Sequence, residues 1–156
     1  MTRSLPNSGQ AVIIDIGEEK DIHPRNKQDV GLRLALLALN NDYGKKQPCE
    51  SPRFNSVAFG GGTATLKFDF AYDGLVSNGA QPTGFSIAGE DKVFHWASAE
   101  IVDKDTVVVR SPKVTKPVAV RYGWADNPVV TLYNSAKLPM DPFRTDDWPG
   151  ATVDNR

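Results

Sequence analysis

Cysteine is nearly absent from this sequence. Among 156 residues there is one, Cys49, so no disulfide within the chain can brace the fold. Histidine is almost as scarce, and one cysteine with two histidines is too few for a Cys/His zinc cage. An excess of either charge is missing too. With 18 Lys+Arg against 19 Asp+Glu the formal net charge is −1, which leaves no basic surface of the kind that counterion release on a polyanion requires, so a nucleic-acid partner is not expected. Long apolar runs are lacking. The strongest, residues 34–39, is far too short to span a bilayer, and Met1-Thr2-Arg3-Ser4-Leu5-Pro6 has no signal-peptide stretch, so no membrane partner is expected either. What remains is an ordinary globular composition, 40% hydrophobic and 24% charged, at a length suited to one compact domain with a modest appendage.

The texture of the chain changes once, near Gly44. Before it, Ala11-Val12-Ile13-Ile14-Asp15-Ile16 is a continuous run rich in β-branched residues, the pattern of a strand buried on both faces of a parallel sheet. Pro24 suits the first turn of a helix, with Asn26 as an alternative N-cap and Asp29 three residues on. Val30, Leu34, Leu37 and Ala38 then form a stripe that Leu32, Leu36 and Leu39 widen, while Arg25, Lys27, Gln28 and Arg33 decorate the first turns. This spacing predicts a helix exposed at its start and buried later, stopped by Gly44. Strand, loop and helix make half of a βαβ unit and cannot bury their own surfaces, so an uncovered apolar face that promotes self-association is expected here.

From residue 45 onward, β-prone runs over 54–59, 64–70, 84–88, 95–101, 106–110, 118–124 and 129–133 alternate with turn chemistry. The turns include Gly60-Gly61-Gly62, Asp73-Gly74, Asn78-Gly79, Gly89-Glu90-Asp91, Asp103-Lys104-Asp105 and Asp126-Asn127-Pro128. Short strands spaced by about 8 to 12 residues predict an antiparallel β-sandwich. Leu66-Lys67-Phe68-Asp69-Phe70 alternates, so Leu66, Phe68 and Phe70 are expected on one face. The segment 139–156 lacks periodicity and is expected along the surface.

For chemistry, the loop from Gly17 to Lys27 holds Glu18, Glu19, Asp21 and His23 just after the buried run. Sites in parallel α/β sheets are built in such loops, and an imidazole among carboxylates suits a general base. On the residues alone, His23 reads equally as a helix-start residue bonded to backbone. Gly60-Gly61-Gly62-Thr63 lacks the spacing and lysine of a phosphate-binding loop and reads as a hairpin turn. Asp69, Asp73, Asp103 and Asp105 read as solvated turn carboxylates, with calcium as the sharper alternative. His95-Trp96 and Trp124 read as packing residues, with a sugar-stacking platform as theirs. Ser4 and Ser8 read as polar residues of a frayed start.

A resemblance adds to these readings. Val12-Ile13-Ile14-Asp15-Ile16-Gly17-Glu18, then Lys20-Asp21-Ile22-His23-Pro24-Arg25-Asn26-Lys27-Gln28-Asp29-Val30-Gly31, then Arg33-Leu34-Ala35-Leu36, is similar to the terminal block of the sialate O-acetylesterase family, a group of SGNH-type serine esterases. Gly84-Phe85-Ser86-Ile87-Ala88-Gly89, Val120-Arg121-Tyr122-Gly123-Trp124-Ala125-Asp126-Asn127-Pro128, Leu132-Tyr133-Asn134 and Leu138-Pro139-Met140-Asp141-Pro142-Phe143-Arg144-Thr145-Asp146 also resemble the C-terminal portion of such esterases, in the same order.

The resemblance implies a mainly β chain: an antiparallel β-sandwich preceded by the terminal strand, loop and helix of a flavodoxin-like α/β hydrolase domain. The corresponding division is 1–45 for the hydrolase remnant, 46–138 for the sandwich and 139–156 for an extended tail. It implies His23 as the catalytic histidine of O-acetyl ester hydrolysis on sialic acid or a related sugar, with no metal or organic cofactor. Where the wider superfamily usually carries an aspartate three residues before this histidine, Lys20 stands here. Asp21 is the nearest carboxylate that would orient the imidazole, with Glu18, Glu19 or a backbone carbonyl as alternatives. The serine nucleophile and oxyanion hole of such esterases lie upstream of the matched residues, so the chain by itself is expected to be inactive, because triad members act as a unit. A separately encoded upstream polypeptide that supplied them would make a split enzyme. A non-catalytic glycan-binding or interdomain packing module is the rival reading. The family suggests an extracytoplasmic bacterial location.

Overall fold

A computed structural model describes residues 5–150 and 153. The first regular element is α1, Lys27–Asn41. Its start follows from Asn26, whose side chain accepts from the Asp29 amide at 3.1 Å and donates back to the Asp29 carboxylate at 2.8 Å, giving one of the orphan amides a partner. Pro24 lies two residues before that cap instead of in the first turn. The helix ends where Gly44 takes φ 65 and the Lys45 amide turns back onto the Leu39 carbonyl at 2.9 Å.

Ten strands follow or lie beyond it. β1 (Arg53–Gly60), β2 (Thr63–Asp69), β6 (Ser98–Asp103) and β7 (Thr106–Arg110) form one antiparallel sheet in the order β1-β2-β7-β6. β4 (Phe85–Ala88), β5 (His95–Trp96), β8 (Ala119–Tyr122) and β10 (Phe143–Arg144) form a second, in the order β10-β8-β4-β5. β3 (Leu75–Ser77) and β9 (Leu132–Asn134) pair as a separate ribbon. Ala64, Leu66, Phe68, Ala99, Val107 and Val109 from the first sheet share one core with Phe85, Ile87, Val120, Tyr122 and Phe143 from the second. The chain is therefore mainly β, a sandwich of antiparallel sheets with one helix.

Local chemistry accounts for the connections. Gly61 and Gly62, at φ 58 and 76, form the two-residue turn between β1 and β2, where only residues tolerant of positive φ match the twist of a hairpin. Asp103 and Asp105 serve the β6–β7 turn, their carboxylates accepting from the Lys104 amide and the Thr106 hydroxyl, each at 2.7 Å. The run 95–101 is two strands. Trp96 pairs with Ser86 in the second sheet and Ser98 with Arg110 in the first, the sheet switch falling at Ala97. Phe70 leaves the expected face: at φ 61 it lies beyond the end of β2 and is partly exposed, with the Arg53 guanidinium 5.1 Å over its ring.

Two expectations are corrected. The run 11–16 is not a strand. The Ile16 amide bonds the Ile13 carbonyl at 3.2 Å in a turn, and the Val12 carbonyl accepts from Arg33 at 2.6 Å. A parallel strand takes its backbone partners from neighbouring strands, and no strand pairs with this segment among the described residues. The segment after residue 139 does not simply run along the surface. β10 pairs with β8, and Phe143 stacks on Phe54 with ring centroids 4.7 Å apart while meeting Phe68, Phe85 and Tyr122 at 5.7, 6.4 and 6.0 Å. Met140 is fully buried as well.

Candidate active-site loop

The loop over residues 17–26 hangs between the apolar segment and the start of α1. A single isolated bridge pairs Glu18 with Asp21, and the loop's carboxylates are turned onto its own backbone. Asp21 Oδ1 accepts from the His23 amide at 2.8 Å, the short-range bond by which aspartate shapes a turn. Glu18 Oε1 accepts from the Arg25 amide at 2.8 Å, and its Oε2 lies 3.7 Å from the Arg25 guanidinium. Asp21 and His23 are thus brought together through the main chain. Among the described residues, none hydrogen-bonds to the His23 imidazole, which is exposed beside an 88% exposed Ile22. Of the two serines read at the chain's start, Ser4 lies outside the described residues, and the Ser8 hydroxyl donates to the Leu5 carbonyl at 2.8 Å.

What anchors this loop was not read from the sequence. Arg33 was assigned to the polar side of the helix, yet it is one of its two buried residues, with Leu37. Its guanidinium grips both oxygens of Asp15 at 2.7 Å, and the two side chains are only 9% and 7% exposed. Burial of this charge is tolerable because the pair is bidentate and Nη1 also donates to the Val12 carbonyl. Burial raises the phenol pKa of Tyr133 on β9, the nearby Asp15 carboxylate raises it further, and Arg33 opposes. One signal was available: a lone aspartate inside an apolar run and a lone arginine inside a leucine-rich helix are complementary interruptions of two buried patterns.

Next to this anchor, Ile14 fits a notch at Gly123. Gly123 has φ 64, and a Cβ there would stand 2.9 Å from Ile14 Cδ1. The residue after it, Trp124, begins an arginine-aromatic ladder. Arg144 and Arg121 lie 5.6 and 5.7 Å from the Trp124 ring, and Arg121 also covers Phe94 at 4.0 Å. Phe94 meets Trp148 at 5.6 Å, and Lys92 lies over Trp148 at 5.4 Å. Trp124 is 51% exposed and Trp96 68%. Trp124 is therefore mainly a stacking partner for guanidinium groups, which clamp the end of the chain onto β8.

Among the described residues no group of three or more His, Cys, Asp or Glu is placed to hold a metal ion, and no helix is long and apolar enough to cross a membrane. Cys49 is a buried free thiol, and burial first, then the nearby Glu50 charge, pushes its pKa up.

Fold and loop together define a β-sandwich joined to a histidine-bearing loop and a helix. This arrangement is similar over 94% of the chain to the crystal structure of a novel carbohydrate acetylesterase from Xanthomonas citri, with 51% sequence identity and a TM-score of 0.89. The chain spans about a third of that protein's length, 34%. No family model matches the chain, and no curated protein matches it.

Proposed function

We propose that this chain is the histidine-bearing part of a carbohydrate acetylesterase of the serine type, acting on an O-acetylated sugar. The observation that carries this reading is the 51% identity to a carbohydrate acetylesterase over 94% of the chain. The finer reading, from the residues quoted above, is an SGNH-type sialate O-acetylesterase with sialic acid or a related sugar as substrate. In it, residues 1–45 belong to the hydrolase domain, 46–138 to the sandwich and 139–156 to a following segment whose β10 joins the sandwich's second sheet. An extracytoplasmic location goes with the same reading.

In this mechanism the His23 imidazole takes the proton of a serine hydroxyl as that oxygen attacks the acetyl carbonyl, and an oxyanion hole holds the charge that develops. His23 returns the proton to the departing sugar hydroxyl, leaving an acetyl-serine. It then takes a proton from water, whose oxygen attacks the acetyl carbon, and acetate leaves as the proton returns to serine. Asp21 Oδ1 is engaged by the His23 amide, and this reading assigns its other oxygen to orienting the imidazole. The 156 residues carry no recognisable serine and oxyanion block, so alone they are expected to hydrolyse activated acetyl esters no faster than background.

The test is turnover of acetylated saccharides by the longest protein that contains these residues, with and without His23→Ala. A loss of about a thousandfold or more is expected for removal of a triad histidine. Unchanged turnover in the variant would overturn the assignment. The rival reading, a glycan-binding module, rests on Trp96, whose ring is largely exposed. Glycan-array binding lost in Trp96→Ala, without any esterase activity, would favour it.

A further inference from the structure

The loop that carries His23 is bracketed by residues that the triad scheme does not use. Asp15 precedes it, Arg33 follows it on α1, and the bidentate bridge between them, at 2.7 Å on both oxygens, closes the intervening chain into a buried-necked loop. The same neck is fastened to the sandwich by Ile14, which sits in the notch at Gly123, at the end of β8, and packs against the core. The Val12 carbonyl, held by Arg33 at 2.6 Å, fixes the chain just upstream. Residues 12, 14 and 15 are thus held while residues 17–26 project into solvent.

We propose that Asp15, Arg33 and Ile14 are positioning residues that act as a clamp, setting where the His23 loop stands relative to the β-sandwich and so making the sandwich part of the esterase's working geometry. The physical basis is pre-organisation. An exposed loop whose imidazole has no hydrogen-bond partner among the described residues gains a defined position only from what holds its ends. An ion pair with both carboxylate oxygens engaged fixes direction as well as distance, which an apolar contact does not. Ile14, one residue before Asp15, ties that constraint to the end of β8 in the second sheet. The catalytic consequence rests on the function proposed above; the clamp itself does not.

The experiment separates the two. Backbone order parameters are measured for residues 17–26 in the 156-residue chain and in Ile14→Ala, Asp15→Asn and Arg33→Lys, with β2 and β7 amides as the internal reference. In the wild-type chain the loop is expected near rigid-backbone values of about 0.85, falling toward about 0.6 in Asp15→Asn and Ile14→Ala, with β2 and β7 unchanged. Arg33→Lys, which keeps the charge and loses the fork, is expected in between. Loop order that is already low in the wild type, or unchanged in variants whose sheets stay intact, would overturn the clamp. Should Asp15→Asn unfold the chain, Ile14→Ala, which leaves the ion pair in place, decides.

Kinetics then tests the role. In the acetylesterase whose turnover depends on His23, Ile14→Ala is expected to lower kcat about tenfold with KM unchanged, the signature of a misplaced base. Loop order lost with kcat unchanged would overturn the positioning role. If His23→Ala itself leaves turnover unchanged, the proposed function fails, while the order parameters still judge the clamp.

Discussion

Arg121 and Asp146 form a two-pronged ion pair, the guanidinium Nε and Nη2 donating to the two carboxylate oxygens at 2.9 and 2.7 Å. The Asp146 side chain is almost fully covered, and the pair fastens the segment just after β10 to β8. The Arg121 hydrogen bond is the main reason the Asp146 carboxyl is held below its usual range; burial opposes it, and the Arg121 charge, the Trp148 amide and Arg144 assist.

Because the folded-state pKa of Asp146 is depressed, its contribution to stability is present above the ordinary carboxylate pKa and is lost as pH falls through the lower folded value. Stability is therefore expected to drop below about pH 4, and Asp146→Asn to flatten that part of the profile. The same substitution strands Arg121 and is expected to cost about 3 kcal/mol at neutral pH. Urea unfolding as a function of pH, for both proteins, checks the sign and the size.

Asn134 is fully buried with every polar group engaged. Its Nδ2 donates to the Glu50 and Phe70 carbonyls at 3.0 Å each, and its Oδ1 accepts from the Ala136 and Leu138 amides at 3.1 and 3.0 Å. Asn134→Asp keeps the shape but turns a donor toward two carbonyls into a carboxylate oxygen. It is expected to destabilise by more than Asn134→Ala, which itself should cost about 2 to 3 kcal/mol. Thermal unfolding of the two variants gives the order.

The face of α1 away from Arg33 and Leu37 is open: Leu32 is 55% exposed, Leu34 50% and Leu39 38%. With Ile13 also exposed, association that grows with concentration is expected, and Leu34→Gln with Leu39→Gln should shift it toward monomer. Sedimentation velocity across a concentration series reads this directly. A stable monomer at every concentration would contradict it.

Asp21 holds the His23 amide at 2.8 Å. If its carboxylate also orients the imidazole in the proposed esterase, Asp21→Asn, which preserves the turn bond, should lower kcat by about a hundredfold or more. If Asp21 only shapes the turn, that variant should be near wild type. Steady-state kinetics on an acetylated sugar distinguishes the two, and the expected result is the large loss.

Much of the sandwich could be read in advance because period-two patterning and glycine turns report local constraints. β1, β2, β4 and β7 fall within a residue or two of the expected runs, and the Gly61-Gly62 turn is where the hairpin needs positive φ. β3 and β10 were missed because strands of three and two residues carry no periodicity. The division of 95–101 between two sheets was missed because Ala97 is neither glycine nor proline, and β propensity says nothing about which neighbour a strand will find. Of the loop, His23 and Asp21 were legible as residue types in a suggestive place; the bond from the His23 amide to Asp21 was not.

The sequence by itself determined the strand rhythm, the Asn26 cap, the turn glycines and the presence of a histidine among carboxylates, since each depends on residues within a few positions of one another. Only the tertiary structure decided that Arg33 faces inward, that Phe143 enters the core and that Asp15 is gripped by the helix. These are pairings across long stretches of chain. A buried charge or an isolated aromatic is stable only beside its partner, and that partner is chosen by the packing of the whole fold.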